Sequence, residues 1–366
     1  MKIEVEKRLD KTYLSETVVI IFSIILAVMF ISIFLLLLDY QPIVIFRGLV
    51  VNSFMDSWGL EKTIVKTIPL LIIALGLSIV FKMEIWNIGG EGQFHIGAVG
   101  ATWIAIFLLP DASIWLVLPV LLAAGFIGGA VWGGIAGFLK AELGVNEIVS
   151  TLMLNYIGIL LVDFLVYGPW RDPAGLNFPT SKSFGQNAEL SGFFNTSIHA
   201  GIFFALILAV IIYYFFKKTT LGFEMSVIGD NEKAARYAGI NVKNNIIIAM
   251  MLSGGIAGFA GAVQMAGVQH QLQHGFSAGY GYTAIIVAWL ARLNPFAIVL
   301  VSFIMAGLYV GGEQIQMFMQ VPLSLVNFLQ ATILFFLLAG NFFNRYKINF
   351  KLKDEEKMQE GDQIGL

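Results

Sequence analysis

The sequence contains no cysteine, little charge and only four histidines. Of its 366 residues, 13% are charged and 58% are hydrophobic, and the net charge is −2. The absence of cysteine excludes disulfide bonds, thiolate metal sites and a cysteine nucleophile. A soluble domain contains about 25% charged and about 45–50% apolar residues, so this composition indicates an integral membrane protein. There is no basic stripe, and we expect neither a nucleic-acid partner nor a cofactor.

Ten long apolar runs are separated by polar segments. The first follows a charged tail at 1–17, and its roughly 21 residues can cross about 30 Å of hydrocarbon. It is longer than a secretory apolar region and lacks a small-residue cleavage site, so we expect an uncleaved span. The runs cover residues 18–38, 64–81, 94–109, 114–139, 147–168, 198–216, 244–268, 280–291, 294–312 and 322–343. The eighth is too short to cross alone unless irregular backbone completes it.

Positive charge is distributed unevenly between the loops. Cytoplasmic loops are enriched in Lys and Arg, and ten spans place 17 of the 22 Lys and Arg residues on the side of the two termini. The other five are Arg47, Lys62, Lys66, Arg171 and Lys182. We therefore expect about ten transmembrane helices with cytoplasmic termini. The predicted division is a cytoplasmic tail at 1–17, a transmembrane domain at 18–343 with an extracellular loop at 169–197 and a cytoplasmic loop at 217–243, and a cytoplasmic tail at 344–366.

Small residues recur at every fourth position in two of the runs. The fourth run carries Gly125, Gly129, Gly133 and Gly137, and the seventh carries Gly254, Gly258, Ala262 and Ala266. Inside lipid, helices associate through close backbone contact across such small faces. We expect these glycines to be helix-packing positions and not ligand contacts.

A weak internal symmetry relates two parts of the chain. The second run is followed by a glycine-rich polar break at 86–93, two apolar runs, the element 144–148 and a last run. The seventh run is followed by a similar break at 270–282, two apolar runs, the element 311–315 and a last run. By the charge distribution the two parts enter the membrane from opposite sides. The sequence thus predicts an all-α membrane protein with two inverted-topology repeats and broken helices around a transport path.

The first break, EIWNIGGEGQF at residues 84–94, concentrates polar groups and glycines between two apolar runs. Unpaired backbone is tolerated at membrane depth only where protein or water satisfies it. The segment is therefore either a broken helix facing a polar path or a capped turn at the cytoplasmic surface. Its side chains either form a structural polar knot between helices or contact the solute. A buried Glu91 needs a partner, and helix N-terminal amides or Lys82 are the candidates. As path residues we nominate Asn87, Glu91, Gln93, Asn155 and Gln314.

The loop at 217–243 contains a short helical segment. Residues 231–238 read NEKAARYA, with Asp230 as the expected N-cap and Gly239 as the expected terminator. Ala234, Ala235 and Ala238 would form a small face, and Glu232 and Arg236 would set its register. The alternative is a solvated amphipathic connector.

Several motifs together resemble one transporter family. The segment WNIGGEGQF resembles the NIGxEGQ signature of permease subunits of bacterial ABC importers, in the branch that takes up nucleosides with a basic-membrane-protein-type lipoprotein receptor. Further similar stretches are Gly144–Val149, Leu152–Tyr156, Ile228–Ile240, Gly279–Tyr282 with Ile286–Ala288, and Asn294–Pro295. The resemblance runs from about 64 to 340. The wider family also contains ribose and branched-chain amino acid permeases. The branch more often has an aliphatic or aromatic residue where His95 stands, which leaves the role of His95 open.

The resemblance implies a non-enzymatic transport subunit in the bacterial cytoplasmic membrane. It would pair with a second permease, different or identical, dock on a cytoplasmic ATPase and receive solute from an extracellular lipoprotein. Purine nucleosides are the favoured solutes, with ribose-like sugars or branched-chain amino acids as alternatives. An aromatic such as Trp86, Trp289 or Tyr282 could stack on the base of a nucleoside. The loop helix would be the ATPase-coupling element. Its residues are Gly229, Asp230, Glu232, Ala234, Ala235, Arg236 and Gly239.

Two other classes of protein compete with this interpretation. The chain lacks the Gly-x-x-x-x-Gly-Lys-Ser/Thr phosphate loop, so its energy must come from a partner or an ion gradient. An ion-coupled secondary transporter would bury several ionisable groups in mid-span, but Glu91 stands alone there, with Glu147, Asp163 and Glu313 near span ends. A membrane enzyme would use the histidines as ligands. Those four are His95, His199, His270 and His274, without an HExxH motif or a carboxylate cluster.

Overall fold

The computed structural model describes residues 2–7, 13–175, 177–193 and 196–351. This part of the chain is nearly all helical. The helices are α1 (Tyr13–Leu37), α2 (Pro42–Phe54), α3 (Ser57–Phe81), α4 (Gly90–Trp103), α5 (Ile114–Leu143), α6 (Glu147–Tyr167), α7 (Gly201–Lys218), α8 (Thr220–Asp230), α9 (Glu232–Tyr237), α10 (Val242–Gln264), α11 (Tyr280–Leu290), α12 (Pro295–Met319) and α13 (Leu323–Arg345). Two π-helical turns, Ile104–Leu108 and Met265–Gln269, extend α4 and α10.

Two short strands depart from the all-α prediction. Strand β1 (Lys2–Lys7) pairs antiparallel with β2 (Tyr346–Lys351), and Lys2 lies opposite Lys351. Both strands fall in the segments expected to be cytoplasmic tails. Residues 13–17 and 344–345 of these tails belong to α1 and α13, and residues 1, 8–12 and 352–366 lie outside the described residues.

All ten predicted apolar runs are helical in the structure. Six helices are long and apolar enough to cross a membrane within the described residues: α3, α5, α6, α7, α10 with its π turn, and α12. Shorter apolar helices are Ile21–Leu37 within α1, α2, α11 and Leu323–Leu337 within α13. Helix α2 was not predicted, because its apolar residues were assigned to the loop after the first run. The chain is a multi-pass membrane protein, and the count of ten spans stays a prediction.

The chain divides into two compact units, named here by their position in the sequence. The terminal unit consists of Met1–Leu49 and Gly312–Leu366, and the middle unit of Val50–Gly311. In the terminal unit, α1 packs against α13, and the ring of Phe34 lies 4.3 Å from that of Phe328. A buried cluster including Ile31, Leu35 and Leu329 forms its core.

In the middle unit, α10 is surrounded by α3, α4 and α5. Helix α3 is buried around its whole circumference over most of its length, which is the pattern of a central helix in a membrane bundle. The glycine ladders lie in the contact between α5 and α10. A methyl group on Gly129 would overlap the carbonyl oxygen of Gly254, and one on Gly258 would overlap that of Gly125. The two backbones therefore touch directly, as small-residue faces allow in lipid.

Candidate functional site

The polar break before α4 is closed by hydrogen bonds from three other helices. Helix α3 ends at Phe81, α4 begins at Gly90, and residues 82–89 between them are not helical. The first N–H groups of a helix have no partner inside it. Here Gly89 N donates to Asn87 Oδ1 at 2.9 Å, and Gly92 N donates to Asn155 Oδ1 at 2.7 Å. Protein side chains thus satisfy these two freed backbone N–H groups.

Two carboxamides pair reciprocally at the centre of this break. Asn87 Nδ2 donates to Gln93 Oε1 and Gln93 Nε2 donates to Asn87 Oδ1, both at 3.2 Å. Asn87 Nδ2 also donates to Ser253 Oγ on α10 at 3.1 Å, and Thr151 Oγ1 on α6 accepts from Ile88 N at 3.2 Å. With Gly89 N, the Asn87 amide uses two donors and two acceptor positions. We call Asn87, Gln93, Thr151, Asn155 and Ser253 the polar knot.

Asn155 brings α6 to the start of α4. Besides accepting from Gly92 N, it donates through Nδ2 to Ile88 O at 2.8 Å and to Tyr282 OH at 3.5 Å. A methyl group on Gly92 would lie 2.7 Å from Asn155 Cα. Gly92 is therefore required by the close approach of the two helices.

Glu91 lies where the starts of two helices meet. It stands in the first turn of α4, and its Oε2 accepts from Gly281 N in the first turn of α11 at 2.7 Å. Helix N-termini carry partial positive charge, and the buried carboxylate of Glu91 is stabilised by both. Of the two candidate partners for Glu91, the structure selects a helix N-terminal amide. Since α4 and α11 follow the two polar breaks, this contact joins the two sequence-related segments.

His95 sits one turn beyond Glu91, buried on the same face of α4. Its Nδ1 lies 2.8 Å from the carbonyl oxygen of Glu91 and 3.9 Å from Glu91 Oε1. The short distance to a carbonyl makes Nδ1 the protonated nitrogen of the ring. The ring packs on Phe276, with centroids 4.7 Å apart. His95 thus links α4 to the segment before α11.

The structure brings together four of the five nominated path residues. Asn87, Gln93 and Asn155 are buried and bonded within the polar knot, and Glu91 adjoins it. Gln314 is buried in the terminal unit. Of the two interpretations of the break, these contacts favour the structural one, because the amides already have partners.

Half-exposed aromatic rings flank the knot. Trp86 stacks on Trp289 with ring centroids 5.1 Å apart and planes 17° apart, and both contact Phe81. Trp86 N donates to Glu147 Oε1 at 3.5 Å, and Glu147 Oε2 accepts from Lys140 at 2.6 Å. Glu147 therefore ties the start of α6 to the polar break through Trp86 N and to the end of α5 through Lys140.

The predicted loop helix is confirmed, but its cap was assigned one residue too early. Asp230 belongs to the last turn of α8, a helix that the sequence did not predict, and Asn231 caps α9 by accepting from Ala234 N at 3.1 Å. Gly239 follows α9 with φ +81°, and Ile240 N donates to Ala235 O. Gly239 therefore terminates the helix as expected.

The exposed face of α9 differs from the predicted alanine face. Ala235 is fully buried because α9 packs against α8 and α10, whereas Ala234 is exposed. The outward side chains include Glu232 and Arg236, which form an exposed ion pair at 2.7 Å. The neighbouring Tyr237 is 94% exposed. Sequence reasoning did not single out Tyr237, although an aromatic residue in a polar loop between two apolar runs was the available signal.

Gly229 connects α8 to the segment that leads into the polar break. A methyl group on Gly229 would overlap the carbonyl oxygen of Lys82. Met83 and Ile85, which continue from there toward the knot, are buried. Only this short segment separates the loop helices from the knot.

The remaining histidines are scattered. His199 is buried, and its Nδ1 accepts from Gly201 N at 3.2 Å. His270 lies 3.9 Å from Glu189, and His274 Nδ1 lies 2.6 Å from Asp163 Oδ1. Within the described residues, no three His, Asp or Glu side chains are grouped closely enough to hold a metal ion.

Comparison with known proteins gives a consistent family. Residues 59–338 match the family described as branched-chain amino acid transport system / permease component. A glucose ABC transporter permease protein of Haloferax volcanii is 32% identical, covering 86% of this chain and 85% of its own. A guanosine ABC transporter permease protein of Bacillus subtilis is 29% identical, covering 89% of this chain and 94% of its own. A nucleoside ABC transporter permease protein of Lactococcus lactis is 30% identical, covering 84% of this chain and 86% of its own.

The family match covers more than half of the chain and includes every helix of the middle unit from α4 to α11. Its members are the permease subunits of ABC transporters and not catalysts. The protein belongs to the branched-chain amino acid transport system / permease component family.

Proposed function

We propose that the chain forms half of the translocation path of an ABC importer for nucleosides, with purine nucleosides favoured. The observation that carries this proposal is the similarity to guanosine and nucleoside permeases of two bacteria over 84–89% of the chain. The aligned region includes the polar knot, the loop helices α8 and α9, and the segment before α11. A second permease subunit, different or identical, completes the path, and an extracellular lipoprotein delivers the solute.

A sugar importer is the second candidate. The glucose permease of Haloferax volcanii is 32% identical over most of both chains. A nucleoside contains a sugar, so the two solutes share a ring with neighbouring hydroxyl groups. Nothing in the polar knot selects between them, because its amides are occupied by protein partners.

The proposed energy source is a separate cytoplasmic ATPase in contact with α9. Support comes from the exposed Tyr237 and from the Glu232–Arg236 ion pair, which holds the outer side of a short helix in one register. Gly229 gives this helix pair a route to the polar break through Lys82. A displacement of α9 by the ATPase would be transmitted through residues 82–89 to the starts of α4 and α11.

We propose that the chain has about ten spans in the cytoplasmic (inner) membrane of a bacterial cell, with both termini in the cytoplasm. The charge distribution supports it. Helix α2 has 13 residues, about 20 Å at 1.5 Å per residue, which is shorter than the roughly 30 Å hydrocarbon core. Helix α2 would therefore enter the membrane only partly, from the outer side, and the number of spans would stay at about ten.

Solute uptake tests the proposal. In a strain lacking this gene, uptake of radiolabelled guanosine should fall to background and return on complementation, whereas glucose and leucine uptake should stay unchanged. Loss of glucose uptake with intact guanosine uptake would replace the nucleoside assignment by the sugar assignment. Unchanged uptake of all three solutes would contradict the solute class as a whole.

A further inference from the structure

Helix α3 ends in a Schellman motif, in which two N–H groups beyond the helix bond back to its last carbonyl oxygens. Ile85 N donates to Val80 O at 3.2 Å, and Glu84 N donates to Phe81 O at 3.1 Å. The motif needs one left-handed residue, which is usually glycine. Here that residue is Glu84, with φ +58°. Helix α3 therefore ends on a backbone conformation that is uncommon for a residue with a side chain.

Helix α11 ends in the same way. Leu293 N donates to Ala288 O at 2.9 Å, and Arg292 N donates to Trp289 O at 3.0 Å. The left-handed residue is Arg292, with φ +53°, and Leu293 beside it has φ +59°. Residues persist in such conformations where the surrounding structure fixes them, and they cluster at switch regions. Both helix ends therefore need neighbours that hold them in place.

Three aromatic rings hold the two helix ends together. Phe81 and Trp289 occupy the same position in the two motifs, and their ring centroids lie 5.7 Å apart. Trp86 stacks on Trp289 at 5.1 Å with the ring planes 17° apart, and it contacts Phe81 at 5.7 Å. Each ring thus contacts the other two. Stacked aromatic pairs stabilise a contact beyond the area that they bury, so this cluster fixes the segment after α3 against the last turn of α11.

Helix α11 consequently contacts the first polar break at both of its ends. Its last turn meets Trp86 through Trp289, and its first turn donates from Gly281 N to Glu91 Oε2 at 2.7 Å. A methyl group on Gly281 would lie 2.2 Å from Glu91 N, so the second contact is as close as the first. Between the two contacts the break is not helical up to Gly89. The rigid helix α11 therefore spans an irregular segment and is fastened to it on both sides.

We propose that the Trp86–Trp289 stack is a positioning pair for transport, through which the first polar break and α11 move as one body. Coupling between distant sites is carried by packed side chains and rigid helices. The loop helices contact this body through Gly229, which lies against Lys82 O. A displacement there reaches α11 through the stack instead of being absorbed by the non-helical residues. The inference rests on the proposed function for the ATPase as the source of the displacement.

Removal of either ring tests the pair in the complete transporter in proteoliposomes. Trp86→Ala and Trp289→Ala should each lower guanosine uptake per ATP hydrolysed about tenfold, which is within the usual range of coupling between sites. The double variant should lower it no further, because each single change already removes the stack. Trp86→Phe should restore most of the coupling, since a phenyl ring can still stack. The KM for guanosine and the co-purification of the ATPase should stay unchanged.

Trp103→Ala is the matched control. Trp103 is 47% exposed, against 39% for Trp86, and lies in the last turn of α4. An unchanged ratio of uptake to hydrolysis in the stack variants, or an equal loss in Trp103→Ala, would overturn the inference. A higher KM with unchanged coupling would place the rings in solute recognition and overturn it as well. Wild-type uptake of glucose and not guanosine would contradict only the nucleoside assignment, and the variants are then compared with glucose.

The absence of cysteine allows a second test that does not depend on the energy source. In Trp86→Cys/Trp289→Cys, a short bifunctional methanethiosulfonate reagent replaces the stack by a covalent link. The reduced variant should transport poorly, and the link should raise its initial rate of uptake at least about fivefold. A reducing agent should reverse the gain, and the reagent should leave uptake by the cysteine-free chain unchanged. Inhibition by the link would show that the two positions separate during transport and would overturn the inference. A link that fails to form, or that forms without a gain, would overturn it too.

Discussion

Asn155 is the residue on which the polar break depends most. Its one carboxamide closes the α4 N-terminus through Gly92 N, pairs the carbonyl oxygen of Ile88 and reaches Tyr282 on α11. No water is needed at any of these three contacts. A change at this position leaves two backbone groups unpaired inside the bundle, where each costs about 1–3 kcal/mol.

Asn155→Ala should therefore lower the stability of the protein by about 2–6 kcal/mol. The measurement is the apparent Tm of the detergent-solubilised chain, followed by circular dichroism. The expected fall is several degrees, because the orphaned groups are amides that detergent cannot reach.

Ser302→Ala is the matched control. Ser302 is also fully buried, but its Oγ has no hydrogen-bond partner within the described part of the chain. Its removal should leave the Tm unchanged or raise it slightly. A Tm loss at Ser302 equal to that at Asn155 would show that any polar truncation has this effect and that the knot has no special role.

The polar residues of the site could be predicted individually but not in their pairing. Asn87, Glu91 and Asn155 were conspicuous because polar groups are rare in apolar runs. The partner of Glu91, however, is Gly281 N, 190 residues away, and a contact at that separation depends on tertiary structure. The cap of α9 was misassigned because Asp230 and Asn231 are both good cap formers, and α8 extends through Asp230.

At the scale of elements, helices α5 and α10 are in direct backbone contact. Gly129 faces the carbonyl oxygen of Gly254, whereas the adjacent Gly128 faces Ile96 at 3.4 Å from the position of a methyl group. The two glycines lie on one helix and differ only in the space beside them. They provide a matched pair.

Gly129→Ala should destabilise the protein, and Gly128→Ala should be neutral or stabilising. The methyl group at 129 forces α5 and α10 apart, at a cost of about 1–3 kcal/mol, while at 128 alanine gains about 0.5–1 kcal/mol in helix propensity. Thermal unfolding in detergent and the yield of folded protein measure both. Equal effects would mean that α5 and α10 are not in direct backbone contact.

The long helices could be predicted from hydropathy, whereas the short helix α2 and the exposed face of α9 could not. Long apolar runs give helices wherever they occur, because the backbone must satisfy itself in lipid. Helix α2 was missed since it is short and contains Arg47. The face of α9 was misjudged for a related reason: three alanines at helical spacing can face a neighbour within the same chain as easily as a partner, and Ala235 does the former.

At the scale of the molecule, the chain is a permease subunit of an ABC transporter. Its sequence contains no phosphate-binding loop, and we propose that ATP acts through another subunit. The loop helices α8 and α9 are short, and Gly229 holds them against the chain at Lys82. Among the large apolar and aromatic side chains of α8 and α9, that of Tyr237 is the most exposed, at 94%, and tyrosines are frequent energetic centres of interfaces.

Tyr237→Ala should uncouple the transporter without unfolding it. Loss of a central tyrosine costs an interface about 2 kcal/mol or more, so the ATPase should no longer co-purify, and ATP-driven guanosine uptake into proteoliposomes should fall on the order of tenfold. The Tm of the isolated chain should not change, since the ring of Tyr237 is 94% exposed. Trp115→Ala, at an 88% exposed aromatic near the start of α5, should leave association and uptake intact. Co-purification that survives Tyr237→Ala, or uptake driven by an ion gradient without ATP, would contradict the assignment of α9 as the coupling element.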